Sequence, residues 1–231
     1  MAELRLSTQN KEEILLTQTQ MGEDRLRRMI LDMDIGPGER LTERWLEGQL
    51  QTSRTSVRTA LFRLEAEGLV ARQGRGWIVP PIDLDEIKQL FTYREVLEVA
   101  AIEIGGPVIT PSDLAEIEAI LNSVTTSSTQ EENDDAARRF HLKIGSLAKN
   151  EFITRGISDC MTRLLRVRWI EISASNQGWS EHRAVLDALR QGRVDHAVEL
   201  TRSHIQAACE RLVQSLTDGK RSLRARGIKV S

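Results

Sequence analysis

The sequence predicts a mainly α protein in two parts: a small N-terminal unit of helices closed by a β-hairpin, then a larger antiparallel bundle made of helices alone. Three observations predict it. Apolar residues recur at helical spacing along most of the chain. One short stretch, GLVARQGRGWIVPP from Gly68 to Pro81, instead has two β-type runs around a glycine turn. Aromatics are scarce, at 4%, while Leu, Ala, Glu and Arg dominate the long segments, a composition that favours helix. At 231 residues and 40% hydrophobic, the chain can bury a core in each part.

In chain order, a first helix is expected from about Asn10 to Asp34, carried by Ile14, Leu15, Leu26, Ile30 and Met33. The run IGPGERL (Ile35–Leu41) breaks it with two glycines and a proline. Thr42 caps a short helix, and Ser53 caps a second whose inward residues are Val57, Ala60, Leu61 and Leu64. Gly68 ends that helix. The strands Leu69–Arg72 and Trp77–Val79 flank the turn Gly74-Arg75-Gly76, and Pro80 and Pro81 close the unit, residues 1–81. Two helices joined by a tight turn and followed by a hairpin make a winged helix-turn-helix.

From residue 82 to 218 the pattern is helical throughout, with helices expected near 83–105, 111–125, 133–148, 151–173, 179–190 and 194–217. The clearest start is Thr110, followed by Pro111 at the first helical position and Asp113 three residues on. Thr125 to Asn133 is a polar loop, and Gly192 separates the last two helices. The tail, 219–231, has five Lys or Arg and is expected to be flexible.

A net charge of −2 excludes a general polycation, so any nucleic-acid function needs local basic clustering. No apolar run approaches the roughly 20 residues of a membrane span, and the start MAELRLSTQNKEE has no apolar signal core. Cys160 and Cys209 form no CxxC pair and read as ordinary thiols. The expected compartment is the cytoplasm, with no membrane partner.

The local basic clustering is present. Residues 40–79 hold seven arginines and four glutamates. In the second helix Arg54 and Arg58 flank the apolar stripe, one turn apart, and Thr55 and Thr59 point away from it. A helix entering a major groove needs donors at its N-terminal end, and arginine grips guanine or phosphate there. Arg75, between Gly74 and Gly76 at the hairpin tip, suits a wing whose backbone approaches the duplex. A lone arginine of this kind would be solvated surface charge; the ordered set points to double-stranded DNA.

Residues 35–79 resemble the DNA-binding domain of the GntR family of regulators. The resemblance is carried by Pro37-Gly38-Glu39-Arg40-Leu41-Thr42-Glu43, by Ser53-Arg54-Thr55-Ser56-Val57-Arg58, by Leu64-Glu65-Ala66-Glu67-Gly68-Leu69-Val70 and by the glycine-containing wing. It implies that Arg44, Arg54, Thr55, Ser56, Arg58 and the wing residues Gly74, Arg75 and Gly76 contact the operator. Phe62 departs from the pattern, which usually has a polar or basic residue there. Arg63, beside the stripe, reads as a structural partner of Glu67 at i, i+4.

In the second part, three of the four histidines lie on apolar helix faces: His141 with Ala137, Ile144 and Ala148; His182 with Trp179, Leu186 and Leu189; His204 with Ala197, Leu200 and Ala208. One such histidine is usually a hydrogen-bonded core residue. Three can converge on one divalent metal. His196 sits beside the apolar face and reads as exposed.

Residues 83–217 are similar to the FCD ligand-binding domain of the FadR subfamily, through YREVLEVAAIE (93–103), RRFHLKIGSLAKNEF (138–152), EHRAVLDALRQGRVDHAVE (181–199) and RSHI (202–205). The resemblance implies a metal held by one aspartate and three histidines, the latter corresponding to His141, His182 and His204. The aspartate position here is Ala137. Asp134 lies two helical turns from His141, about 10 Å away at roughly 1.5 Å per residue, and Asp135 points elsewhere. Two arrangements stay open: a three-histidine site for zinc or nickel completed by water or an effector carboxylate, and a metal-free polar pocket holding an anion directly. The resemblance also offers Arg94 as a carboxylate partner of the effector, against an i, i+4 pair with Glu98. Arg163, Arg166 and Arg168 lie on the helix that borders this region; Trp169 and Trp179 read as core.

The function expected is that of a sequence-specific transcriptional regulator acting as a homodimer. Repression is the expected mode, and a small carboxylate, an organic or sugar acid, the expected effector. The competing class is a metal-dependent hydrolase using the three histidines. It lacks a general base, since Ala137 removes the nearest carboxylate, and it leaves the first 80 residues unexplained.

Overall fold

The computed structural model of the chain describes residues 19–168, 175–225, 227, 228 and 230. Ile14, Leu15, Trp169 and the last turns of the helix expected to end at 173 lie outside the described residues. The chain falls into two compact units, one up to Ile82 joined by Lys220 onward, the other Asp83–Gly219.

The first unit begins with helix α1 (residues 19–31), which buries Leu26 and Ile30. It ends where Met33 turns left-handed and the Ile35 amide donates back to the Met29 carbonyl. The segment read as a mere break then forms a short strand, β1 (Arg40–Leu41). Two residues carry no periodicity to announce a strand. Helix α2 (Glu43–Leu50) starts as expected, Thr42 Oγ1 accepting from the Trp45 amide at 3.3 Å. Helix α3 (Arg54–Ala66) starts with Ser53 Oγ accepting from the Ser56 amide at 3.2 Å. Its end is a left-handed Gly68, φ +73°. The hairpin is β2 (Ala71–Gln73) and β3 (Gly76–Ile78), turning at Gly74 with φ +60°. The antiparallel sheet runs β1-β3-β2, with Leu41 opposite Trp77 and Trp77 opposite Arg72.

Helices and sheet close over one core that includes Leu26, Leu46, Leu61, Leu64, Leu69 and Trp77. Each fully buried side chain of this kind contributes about 1.5–3 kcal/mol. Polar contacts brace α1 against α3. Thr19 Oγ1 donates to Ser56 Oγ at 3.0 Å, and Arg27 grips Glu67 at 2.6 and 3.1 Å. Arg63 is a structural partner, but of Glu23 at 2.8 Å rather than of Glu67, which Arg27 has taken. Burial pushes the Glu23 carboxyl up; hydrogen bonds from Arg63 and Arg27 outweigh it and hold the group below its ordinary range.

The second unit is helical throughout its described residues. It comprises α4 (Leu84–Gly105), a 3₁₀ turn (Gly106–Val108), α5 (Pro111–Asn122), α6 (Gln130–Ser146), α7 (Glu151–Arg168), α8 (Ser175–Arg190) and α9 (Val194–Ala225). Thr110 and Asp113 form the expected capping box on α5. Thr129 and Glu132 form another on α6, which therefore starts three residues earlier than its apolar pattern suggests. Ile102, Ile117, Leu121, Ile144, Leu186 and Ala197 anchor the core. At Gly105 the end of α4 meets the Leu147 backbone so closely that no Cβ would fit.

The tail departs from expectation. Helix α9 runs to Ala225, and Leu223, Ile228 and Val230 are buried, with Val230 bridging to Ile82. Three apolar residues among five cations decide the matter; burial of the former outweighs the solubility of the latter. No described helix is long and apolar enough to cross a membrane.

Candidate functional site

Two sets of side chains stand apart from the cores. The first is on α3 and the hairpin. Arg54, Thr55 and Arg58 are exposed on α3, Arg44 is exposed on α2, and Gly74 and Arg75 are exposed at the wing tip beside the half-buried Gly76. A residue the sequence reading left without a role organises them. Glu43 opens α2, and its two carboxylate oxygens receive Arg54 Nε at 2.7 Å and Arg58 Nε at 3.2 Å. Both guanidinium groups are thereby aimed by one carboxylate, and the Glu43 hydrogen bond pushes Arg54 further up in pKa.

Ser56 does not belong to this surface. It is 2% exposed, its amide bonded to Ser53 and its hydroxyl to Thr19. Lying one residue before Val57 and four before Ala60, it falls on the inward stripe of α3. The expected operator contact from Ser56 is therefore corrected to a buried brace.

The second set surrounds a cavity of about 110 Å³ in the helical unit, lined among others by Arg94, Ala137, His141, Trp179, His182 and His204. The three histidines come from α6, α8 and α9, are 3–7% exposed, and each offers a nitrogen within 4.8 Å of the others. His196 is exposed, as expected. Two ring orientations are set from outside the cluster. His141 Nδ1 lies 2.9 Å from Glu98 Oε2, and His204 Nδ1 lies 2.6 Å from Glu181 Oε2. An ionised carboxylate can only accept there, so the partner of each is the Nδ1–H tautomer, whose Nε2 lone pair turns inward. His182 Nε2 is 3.1 Å from His204 Nε2.

Arg94 forms the i, i+4 pair with Glu98 and also faces the cavity. It is 4% exposed, lines the cavity, and its Nε lies 2.9 Å from Glu98. Glu98 is therefore shared between Arg94 and His141. Burial pushes the Glu98 carboxyl up, opposed by the charges of Arg94 and His204. Burial pushes the His204 imidazole down, opposed by the Glu181 hydrogen bond. Arg211 also lines the cavity, with Nη1 3.6 Å from Glu181. Glu98 as a histidine partner, Glu181 and Arg211 went unrecognised in the sequence, because nothing local links them to histidines on other helices.

Ala137 faces the cavity at the position where the resemblance expects an aspartate. Asp134 lines it too, bonded by Gln130 Nε2 at 3.1 Å, but is not in the group that the histidines form. Trp179 lines the cavity rather than only packing the core. Arg163 pairs with Glu86 at 3.3 Å, and neither it nor the buried Arg166 is among the lining residues.

The chemistry that donor set allows is binding. Three buried imidazoles, two of them oriented by carboxylates, and two guanidinium groups can hold a cation, an anion or both. A winged helix-turn-helix followed by a helical domain with such a cavity defines a class: DNA-binding regulators that carry their own ligand-binding domain. Comparison with known proteins sharpens this. Residues 18–79 match the family model for bacterial regulatory proteins of the gntR family, and residues 89–207 match that of the FCD domain. The chain belongs to the GntR family, in its FCD-bearing form, and is a transcriptional regulator rather than an enzyme.

Among its relatives, the Nta operon transcriptional regulator of Aminobacter aminovorans is 24% identical over 189 residues, 80% of this chain and 90% of that one. The HTH-type transcriptional repressor RspR of Escherichia coli K12 is 24% identical over 196 residues, 82% of this chain and 86% of that one. The fold is shared with a solved GntR transcriptional regulator from Rhodococcus sp. RHA1. Its TM-score is 0.72 at 24% identity, covering 86% of this chain and 98% of that one.

Proposed function

We propose that the protein is a cytoplasmic, homodimeric repressor whose operator affinity is set by a small organic or sugar acid bound in the histidine cavity. Arg44, Arg54, Thr55, Arg58 and the wing residues Gly74, Arg75 and Gly76 contact the operator. Arg94, His141, His182 and His204 contact the effector, directly or through zinc or nickel. The observation that carries the ligand half is the convergence of three buried imidazoles, two of which have their outer nitrogens bonded to carboxylates.

That donor set fits a metal. Tetrahedral coordination at 2.0–2.1 Å separates two imidazole nitrogens by about 3.3 Å, close to the 3.1 Å between His182 and His204 Nε2. A carboxylate behind a ligating histidine is the usual outer-shell arrangement. A bound divalent ion would supply a Lewis-acidic centre for an effector carboxylate. Ala137 leaves the fourth position without a protein ligand, and Arg94 and Arg211 at the cavity wall favour an anion. Repression is supported by the relative named as a repressor, and a dimer by the two-fold symmetry of operators read by this motif. The exposed apolar residues Val96 and Ile104 of α4 and Val108 of the turn after it offer the dimer a surface.

Elemental analysis of the purified full-length protein beside His141→Ala tests the metal. About one zinc or nickel per chain, lost in the variant, is expected. No metal in either would leave Arg94 and the histidines as direct effector contacts, with His182 and His204 sharing an N–H···N bond. Arg54→Ala and Arg58→Ala should each abolish specific operator binding and leave effector binding intact. Full operator affinity in either would overturn the groove assignment.

A further inference from the structure

We infer that Arg72, on the wing strand β2, is a further DNA-backbone contact, held ready for a phosphate by the rings of Phe62 and Trp77. The inference rests on the DNA-binding role of this unit and adds to it a residue that neither motif nor spacing singled out.

The argument starts from the outward line of α3. Arg54, Arg58 and Phe62 follow one another at i, i+4 and i+8, so a third cation would continue the line. An aromatic ring stands there instead, and it is 47% exposed. The cation arrives from the sheet. Arg72 is in register opposite Trp77, which puts both side chains on one face. Its guanidinium carbon lies 4.4 Å above the Trp77 ring and 5.0 Å above the Phe62 ring. The two rings meet edge to face, 84° apart with centroids at 5.7 Å, and form a corner in which the guanidinium sits. Cation–π attraction from two rings fixes its position and leaves N–H groups at its rim for an acceptor.

The charge of Arg72 is also unspent. Arg54 and Arg58 share Glu43, and Arg27 and Arg63 share Glu23. Among the described residues Arg72 is exposed and forms no ion pair. A pre-aimed, exposed guanidinium two residues from the wing tip suits a duplex phosphate, which accepts two parallel N–H bonds. Such a contact positions the protein on DNA without reading bases. The competing role is a cover, the Arg72 stem shielding Trp77 from water.

The test uses full-length protein and a duplex enriched from a random-sequence pool by binding to it. Arg72→Met keeps an unbranched stem over the rings and removes the charge. The slope of log affinity against log salt should become shallower by about 0.9 per protomer, and affinity at 0.1 M salt should fall about eightfold per lost contact. The thermal midpoint should fall by no more than the few degrees that the two lost cation–π contacts contribute. Arg72→Lys should keep the slope, and Phe62→Arg placed in Arg72→Met should restore it. Unchanged slope and affinity in Arg72→Met, with a lower melting point, would make Arg72 a cover and overturn the inference. Arg54→Ala separates the two levels. If it binds like the wild type, or if no duplex is enriched, the assignment of this helix and wing to the duplex fails and this inference with it. If Arg54→Ala loses binding and Arg72→Met does not, only the inference fails.

Discussion

Carboxylates aim the functional side chains in both units, and the difference between the two settings lies in water. On α2, Glu43 holds Arg54 and Arg58 at a surface where the Arg54 side chain is 71% exposed. In the helical unit, Glu98 and Glu181 hold His141 and His204, with Glu98 fully buried. At the surface, solvent screens the pair, so the carboxylate adjusts orientation and little else; exposed ion pairs contribute about 0–1 kcal/mol. In the interior the same contact decides tautomer, protonation and stability together. A regulator gains from both arrangements. On the proposed function, the arginines at Glu43 stay exchangeable, so that phosphates can displace the carboxylate, while the histidine cavity stays preorganised.

If this contrast is right, the largest effect comes from the interior. Glu98→Gln removes the charge that compensates Arg94 and keeps the shape. Breaking one side of a buried pair costs about 3–5 kcal/mol, and urea unfolding should show a loss of that size. A loss under about 1 kcal/mol would mean that Glu98 is already neutral in the folded protein, as its upward-shifted carboxyl allows. The charge contrast between the two sites would then disappear.

Zinc binding should come next. A metal that binds only the folded state adds about 2.7 kcal/mol at a hundred times its dissociation constant. Denaturation with zinc and with a chelator should differ by that amount in the wild type and not in His141→Ala. An equal gain in the variant would locate the metal elsewhere. Smaller again is the response to pH. Burial lowers the His204 pKa below its ordinary 6.5, so the unfolded chain binds the proton more readily than the folded one. The stability tied to His204 is therefore present above 6.5 and is lost as pH falls from there towards the lowered value. One such proton contributes a slope of at most about 1.4 kcal/mol per pH unit. His204→Gln should flatten the decline between pH 7 and 5, and identical slopes would show that His204 is not held neutral.

The same contrast explains what could be read from the sequence. Helical periodicity put His141, His182 and His204 on inward faces, and the motif put Arg54 and Arg58 on an outward one, because each judgement needs only neighbours within two turns. The partners were illegible for the opposite reason. Glu98 and His141 are 43 residues apart, and Arg63 found Glu23, 40 residues away, in place of the adjacent Glu67. Glu43 was visible as a motif letter, but not as the clamp of two arginines on another helix. The inward position of Ser56 is legible in the sequence, since Ala60 and Leu64 lie on the same stripe, and that helix geometry outweighs its place in the motif. The buried tail was missed because basic residues hid Leu223, Ile228 and Val230 in a segment with no regular period.

Glu43→Gln should produce the smallest effect and bears most directly on the exposed site. It frees both arginines and removes a negative charge near the expected position of the phosphates. Sequence-independent attraction to a duplex should rise, because phosphate contacts dominate it and one repulsive charge is gone. Discrimination should fall, because Arg54 and Arg58 lose the bonds that fix their orientation, which on the proposed function points them at base edges. An exposed pair worth at most about 1 kcal/mol limits the change to roughly fivefold. The measurement is the ratio of affinities for an enriched operator duplex and a scrambled one, at a fixed salt concentration. A ratio that falls by about threefold, with unchanged thermal stability, is expected. An unchanged ratio would mean that the arginines find their orientation from DNA alone, and that only the interior carboxylates preorganise a site.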